Sequence, residues 1–278
     1  MVIKLRRFKD GLLRGLLWFS AFLTIAVLLT IVGFIFYKGY RLINFDFIFS
    51  DYSPVGGGGI WPMIVTTIYT IVISLVIATP IGILAAVYLQ EYAKQGRLVR
   101  TIRFATESLT GIPSIIYGLF GAVFFVTILK FGMSIISASL TLTIIILPVI
   151  IRTTEESLKT VPNSYREGSL ALGNTKLQTL YKVILPSAMP GILSGIILSI
   201  GRIVGESAAI FLTAGTVAAL PEGIFSSART LTVHSYLVTQ EAGDIELASA
   251  VGIVLIVIIL VLNLLATFIS KLFNKADY

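Results

Sequence analysis

The sequence predicts an all-α, polytopic membrane protein with six transmembrane helices. Three observations point there. Apolar residues make up 56% of the 278 positions and charged ones only 13%, about half the share usual in a soluble domain, and mean hydropathy is +0.96. Uncharged apolar runs of about 20 residues, long enough to cross a bilayer as helix, recur along the chain. Lysine and arginine gather in alternate segments between those runs, the asymmetry that sets membrane orientation.

The first run, 16–37, follows Lys4, Arg6, Arg7, Lys9 and Arg14. Its apolar core is longer than the roughly 7–15 residues of a secretory signal, and no clear small-x-small cleavage site follows, so it reads as a retained helix. The second run is 62–90 and contains Pro80. The third, 112–129, opens beside Pro113, and the short fourth, 135–151, contains Pro148. These prolines kink or start spans, which a membrane bundle tolerates because neighbouring helices satisfy the freed carbonyls. The fifth run is 190–217 and the sixth 247–270. The chain thus divides into a tail, first helix and external segment (1–61), a five-helix core (62–270) containing the loop 152–189, and a tail (271–278).

Sixteen basic residues lie in the N-terminal tail, the segment 91–103, the loop 152–189 and the C-terminal tail; four (Lys38, Arg41, Lys130, Arg229) lie in the alternate segments. Both termini are therefore expected in the cytoplasm of a cell's inner membrane. The net charge of +7 reflects this retention of basic residues on one face and not nucleic-acid binding. The absence of cysteine excludes disulfides, thiol catalysis and cysteine metal sites. The external segments 38–61 and 218–246 are too short for a core of their own. Gly56-Gly57-Gly58-Gly59 lacks the Gly-Lys-Ser/Thr of a nucleotide loop and reads as a turn before an interfacial Trp61. A nucleotide engine would have to be another polypeptide.

Between the fourth and fifth runs, 166–186 reads as a soluble-looking helical hairpin. Pro162 stops any helix from upstream. Asn163 or Ser164 can cap a helix through Leu172, which Gly173 ends in the left-handed conformation that glycine adopts cheaply. Asn174 or Thr175 can cap a second helix through Val183, and Pro186 and Pro190 turn the chain back towards the membrane. Gly168, Ser169 and Ala171 would let a partner backbone approach, and Glu167 is free to pair across an interface. Two readings fit: a docking element for a partner, or an amphipathic hairpin lying on the headgroups.

Arg202 and Glu206 fall within the fifth apolar run. Charges at bilayer depth cost about 2.5–3.5 kcal/mol each on insertion scales, so they mark function by default. Four residues apart, they would share one helix face. They form either a structural ion pair or a pathway element, with the Arg202 fork of donors meeting a tetrahedral oxyanion and Glu206 restraining that fork or taking a proton. Glu107 reads as interfacial. His234, the lone histidine, cannot make a metal site and reads as structural. Arg229 either helps to receive an anion outside or pairs with Glu222, Glu241, Asp244 or Glu246.

The pattern Glu167-Gly168-Ser169-x3-Gly173-x9-Val183-x-Leu185-Pro186 resembles the Glu-Ala-Ala-x3-Gly-x9-Ile-x-Leu-Pro loop of bacterial ABC importer permeases. Its departures are small-for-small and branched-for-branched. Arg202-Ile203-Val204-Gly205-Glu206-Ser207-Ala208 resembles the Arg-x-x-Gly-Glu-Thr/Ser-Ala signature of phosphate permeases. Gly56–Pro62 and Thr110–Phe120 resemble further segments of that family, and Arg229-Thr230-Leu231-Thr232-Val233-His234 resembles a run of its PstA-type members. Ala209 stands where such chains often carry proline. The resemblance implies a type I ABC importer permease with no catalytic residue, metal or cofactor of its own. It implies a PstC-type permease partner, two ATP-binding subunits at the cytoplasmic face with 166–173 seated in an ATPase groove and Leu185 and Pro186 behind, and an external phosphate-binding protein. It further implies Arg202, Glu206 and Arg229 along the pathway. Permeation of another oxyanion, such as molybdate or sulfate, is the nearest alternative. A gradient-driven carrier leaves the hairpin unexplained, and an intramembrane enzyme lacks a catalytic constellation.

Overall fold

A computed structural model describes the backbone of residues 2–53 and 58–274 and the side chains of 10–53 and 58–268; Gly56, Gly57 and Lys275 lie outside the described residues. Twelve helices and no strand occur among these. α1 (Val2–Gly39) carries no charged residue from Gly15 to Tyr37, and its most hydropathic window is 0% buried within the subunit, the pattern of a helix surrounded by lipid or by another chain. It touches the bundle where Gly39 crosses α12. There the nearest atoms to a Cβ would be backbone of Ala250 and Ser249, at 2.5 and 2.6 Å.

A one-turn α2 (Phe45–Phe49), capped by the Asn44 side chain, leads to α3 (Trp61–Val87), which finishes in a wide π turn over Tyr88–Tyr92. The basic segment expected as loop is largely helical: α4 (Arg97–Thr110) carries Leu98, Ile102, Ala105 and Leu109 on one stripe, the spacing of an amphipathic helix. It meets the next helical stretch at 100°. That stretch, α5 (Ser114–Gly121) continued by a π segment to Ile128, is the predicted third span, now half of a bent pair. With it the described residues hold six apolar crossings, without it five.

α6 (Ile135–Thr160) runs nine residues past the predicted fourth span. Its extension is stabilised by ion pairs of Arg152 with Glu156 (3.0 Å) and of Arg103 with Glu155 (3.3 Å), and ends before Pro162. α7 (Asn163–Ala171) and α8 (Lys176–Thr179) form the hairpin. A π turn over Leu180–Ile184 then joins α8 to α9 (Leu185–Val204). Lys176–Val204 is thus one helical stretch, and Pro186 and Pro190 lie inside it instead of turning the chain. The predicted fifth span starts earlier than expected and stops earlier too. Beyond the break come α10 (Ala208–Ala214), α11 (Leu231–Leu237) and α12 (Ile245–Asn274).

α3, α6 and α9 pack side by side, with α5 and α10 against α6 and α12 against α9. Their shared core includes Ile71, Leu142, Ile146, Ile203, Ile210 and Val233. The α6–α9 crossing relies on Gly191 and Gly195, which face Ser157 and Thr153 so closely that a Cβ would collide; a small-xxx-small pair is how membrane helices approach each other. Although α11 belongs to a segment expected outside, Leu231, Val233 and His234 are buried. A separate cluster of Val87, Leu158, Val161, Leu180, Ile184 and Ile192 underlies the hairpin.

Candidate functional site

The hairpin is built by its local sequence. Pro162 stands before the first residue of α7, and neither Asn163 nor Ser164 caps that helix; Asn163 is already helical and accepts from Arg166 at 3.4 Å. Gly173 turns the chain with φ +87°, the conformation that costs a side-chain-bearing residue most. Thr175 caps α8 reciprocally with Gln178, satisfying two otherwise open donors. Ser169 is buried between the two helices, its hydroxyl 2.9 Å from that of Thr179 and receiving the Asn174 amide at 3.1 Å.

What the hairpin presents outward is mixed. Glu167 and Gly168 are exposed, and no atom lies within 4 Å of a Cβ placed on Gly168. Leu172 (86% exposed), Leu177 and Tyr181 extend an apolar surface beside them. Arg166 turns the other way. Its guanidinium donates to Glu91 Oε1 (2.7 Å) and to the carbonyls of Val161 (2.7 Å) and Leu158 (2.9 Å), which α6 leaves open at its end. Leu185 is half-buried and Pro186 exposed, both in the first turn of α9.

At the far end of α9 the charged pair is split. α9 ends at Val204, with Gly205 and Glu206 outside any helix, so Arg202 and Glu206 do not share a helix face. Glycine has low helix propensity, and Glu206 instead serves the next helix: its Oε1 accepts from Ala209 N–H at 3.1 Å, placing a carboxylate at the positive end of α10. Glu206 is 8% exposed, while Arg202 is exposed on the subunit surface. No hydrogen bond or ion pair joins Arg202, Glu206 and Arg229 among the described residues. The Thr232 hydroxyl donates to the Val204 carbonyl, tying α11 to the break.

Arg229 lies just before α11. Its guanidinium stacks 5.1 Å from the Tyr52 ring, and Nη1 lies 3.2 Å from His234 Nδ1. Arginine only donates, so Nδ1 accepts and the ring is the neutral Nε2–H tautomer. Burial, then the positive charge of Arg229, pull the His234 pKa down to about 4. Burial also lowers that of Arg229, with Tyr52 and Glu241 opposing. Its Nε is buried with no hydrogen-bond partner among the described residues. His234 is structural as expected, and Glu107 is occupied by Arg152 at 3.4 Å. Glu91 and Tyr52 escaped sequence reasoning, since each acts on a residue remote in the chain and no local motif marks it; Thr232 lies in the run 229–234, but nothing local points to its bond with Val204.

Residues 78–276 match the family described as binding-protein-dependent transport system inner membrane component. The chain belongs to this family. The permease is 34% identical to the probable ABC transporter permease protein YqgI of Bacillus subtilis (strain 168), over 97% of this chain and 98% of that one. It is 30% identical to the phosphate transport system permease protein PstA of Mycobacterium leprae (strain TN), over 93% and 88%. A bacterial ABC transporter involved in the import of the acidic polysaccharide alginate shares its fold with a TM-score of 0.67 at 17% identity, covering 96% of the permease and 98% of that chain. The architecture is that of type I ABC importer permeases. The permease is a membrane component of a transport system and not an enzyme.

Proposed function

We propose that this permease forms half of the translocation pathway of an ATP-driven importer of inorganic phosphate. A PstC-type subunit would form the other half, two ATP-binding subunits would dock on the cytoplasmic face, one of them at this hairpin, and a phosphate-binding protein would dock on the opposite face. Both termini would lie in the cytoplasm, on the side where the basic residues gather.

One observation carries the reading. The helical stretch Lys176–Val204 begins in the hairpin and contains Arg202 in its last turn, so a push at one end is delivered to a cation at the other. Glu167, Gly168, Leu172 and their neighbours offer a helix-in-groove contact. Arg202, exposed on this subunit, supplies donors to a tetrahedral oxyanion. Glu206, retained by α10, lies close in sequence and keeps anion capture weak enough for release. Closure of the ATPase pair would then rock the helices as rigid bodies between two openings. The PstA-named relative favours phosphate over other oxyanions.

Labelled phosphate uptake into ATP-energised membrane vesicles tests this. Glu167→Arg should abolish uptake while the chain still inserts, and Arg202→Gln should cut it without loss of assembly. Undiminished uptake in the first variant removes the docking role, and in the second removes Arg202 from the pathway. Stronger inhibition by unlabelled molybdate or sulfate than by phosphate would reassign the cargo.

A further inference from the structure

Glu91 receives both arms of the hairpin. It sits in the π turn that closes α3, 75 positions before Arg166. Its carboxylate accepts from Arg166 of α7 at 2.7 Å, with the two side chains only 13% and 19% exposed. Its backbone carbonyl accepts from Lys176 Nζ of α8, and that ammonium also lies 4.6 Å from the ring of Tyr92. The same guanidinium that holds Glu91 holds the end of α6 through Leu158 and Val161.

We propose that Glu91 is a positioning residue that makes α3 follow the coupling hairpin, so that the ATPase stroke is delivered to α3 as well as to α9. The proposal rests on the docking reading above. Val87 at the α3 end packs with Leu180 and Ile184 below the hairpin, and beside the polar tie a pocket of about 130 Å3 is lined among others by Glu91, Tyr92, Arg166, Leu170 and Lys176. Apolar packing is non-directional, so the polar tie is what fixes the direction in which α3 follows the hairpin. A charge-assisted bond to a partly desolvated pair is short, directional and costly to break on one side. Wide π turns also recur at functional positions in helices. The hairpin therefore grips two separate ends, α6 and α3, through one arginine, while its own chain continues into α9.

The test uses the whole transporter in liposomes, with its own ATPase, second permease and binding protein, and reads ATP hydrolysed per phosphate imported. Glu91→Gln should leave the ATPase subunits bound and hydrolysing but raise that ratio by about tenfold, the scale of one lost charge-assisted bond. Because the chain has no cysteine, Glu91→Cys with Arg166→Cys can be joined by a bis-methanethiosulfonate, each thiolate forming a reducible disulfide with loss of methanesulfinate. That variant should be uncoupled when unbridged, return towards the wild-type ratio when bridged, and lose coupling again on reduction. A wild-type ratio in Glu91→Gln, or a ratio that bridging does not change, overturns the proposal. A wild-type chain that retains no ATPase subunit overturns the docking reading itself, before any variant is made.

Discussion

Half-buried Arg229 and the only histidine of the chain form a cation–imidazole contact, Nη1 to Nδ1 at 3.2 Å, closed on one side by the ring of Tyr52, 5.4 Å from the imidazole. The pair holds the first turn of α11 against the end of the polypeptide run that precedes α3. It does so only while the imidazole stays neutral.

The pH dependence follows from that requirement. His234 titrates near 6.5 when unfolded and at about 4 in the fold, so between those values the unfolded chain binds the extra proton. Stability is therefore full above about pH 6.5 and falls as the pH drops towards 4, by about 3 kcal/mol in total. Thermal unfolding of detergent-solubilised permease from pH 7.5 to 4.5 checks this. His234→Asn keeps an acceptor for Arg229 and should flatten the decline; an equally steep decline in that variant assigns it to other groups.

Glu206 has two separable duties. Glu206→Ala removes the acceptor for Ala209 N–H and should cost about 1 kcal/mol of stability. Glu206→Gln keeps an oxygen there and should recover most of it, yet still impair phosphate uptake if the charge acts on the pathway. Melting and uptake measured on the same preparations distinguish cap from charge.

Two glycines of the hairpin should respond with opposite signs. Gly168 lies inside α7 with open space around it, so Gly168→Ala should stiffen that helix by about 0.5–1 kcal/mol. Gly173 has φ +87°, so Gly173→Ala should cost about 1–2 kcal/mol through the backbone alone. Amide exchange across 163–179 reads both; slower exchange in the first and faster in the second is expected.

The crossing of α1 with α12 gives a second glycine contrast. Gly39→Ala drives a methyl onto the backbone of Ala250 and Ser249, which no rotamer change relieves, and should cost about 1–3 kcal/mol. Gly33→Ala, inside α1 with nothing within 4 Å, should melt no lower than the wild type. Equal melting of both variants would place the two helices farther apart than described.

Hydropathy made the crossings legible, because lipid demands an apolar run wherever helix meets hydrocarbon. It blurred their ends. Helix 6 outruns its apolar stretch because Glu155 pairs with Arg103 and Arg152 with Glu107, and such pairing depends on α4 arriving from elsewhere. The break after Val204 hides in an apolar run, and only Gly205-Glu206-Ser207 hints at it. The turn at Gly173 and the cap at Thr175 were readable because they concern a few adjacent residues. The link between Glu91 and Arg166 was not, since 75 positions separate its ends. The stripe Leu98, Ile102, Ala105 and Leu109 was present in the sequence and could have revealed α4.

The stretch Lys176–Val204 has 29 residues and is therefore about 43 Å long. In the proposed transport cycle it would act as a lever. A tilt of about 5° imposed at the hairpin sweeps Arg202 sideways by about 4 Å, more than the reach of a hydrogen bond. A guanidinium carried through such an arc can hold an anion at one limit of the swing and let go at the other, with no rearrangement of its own side chain.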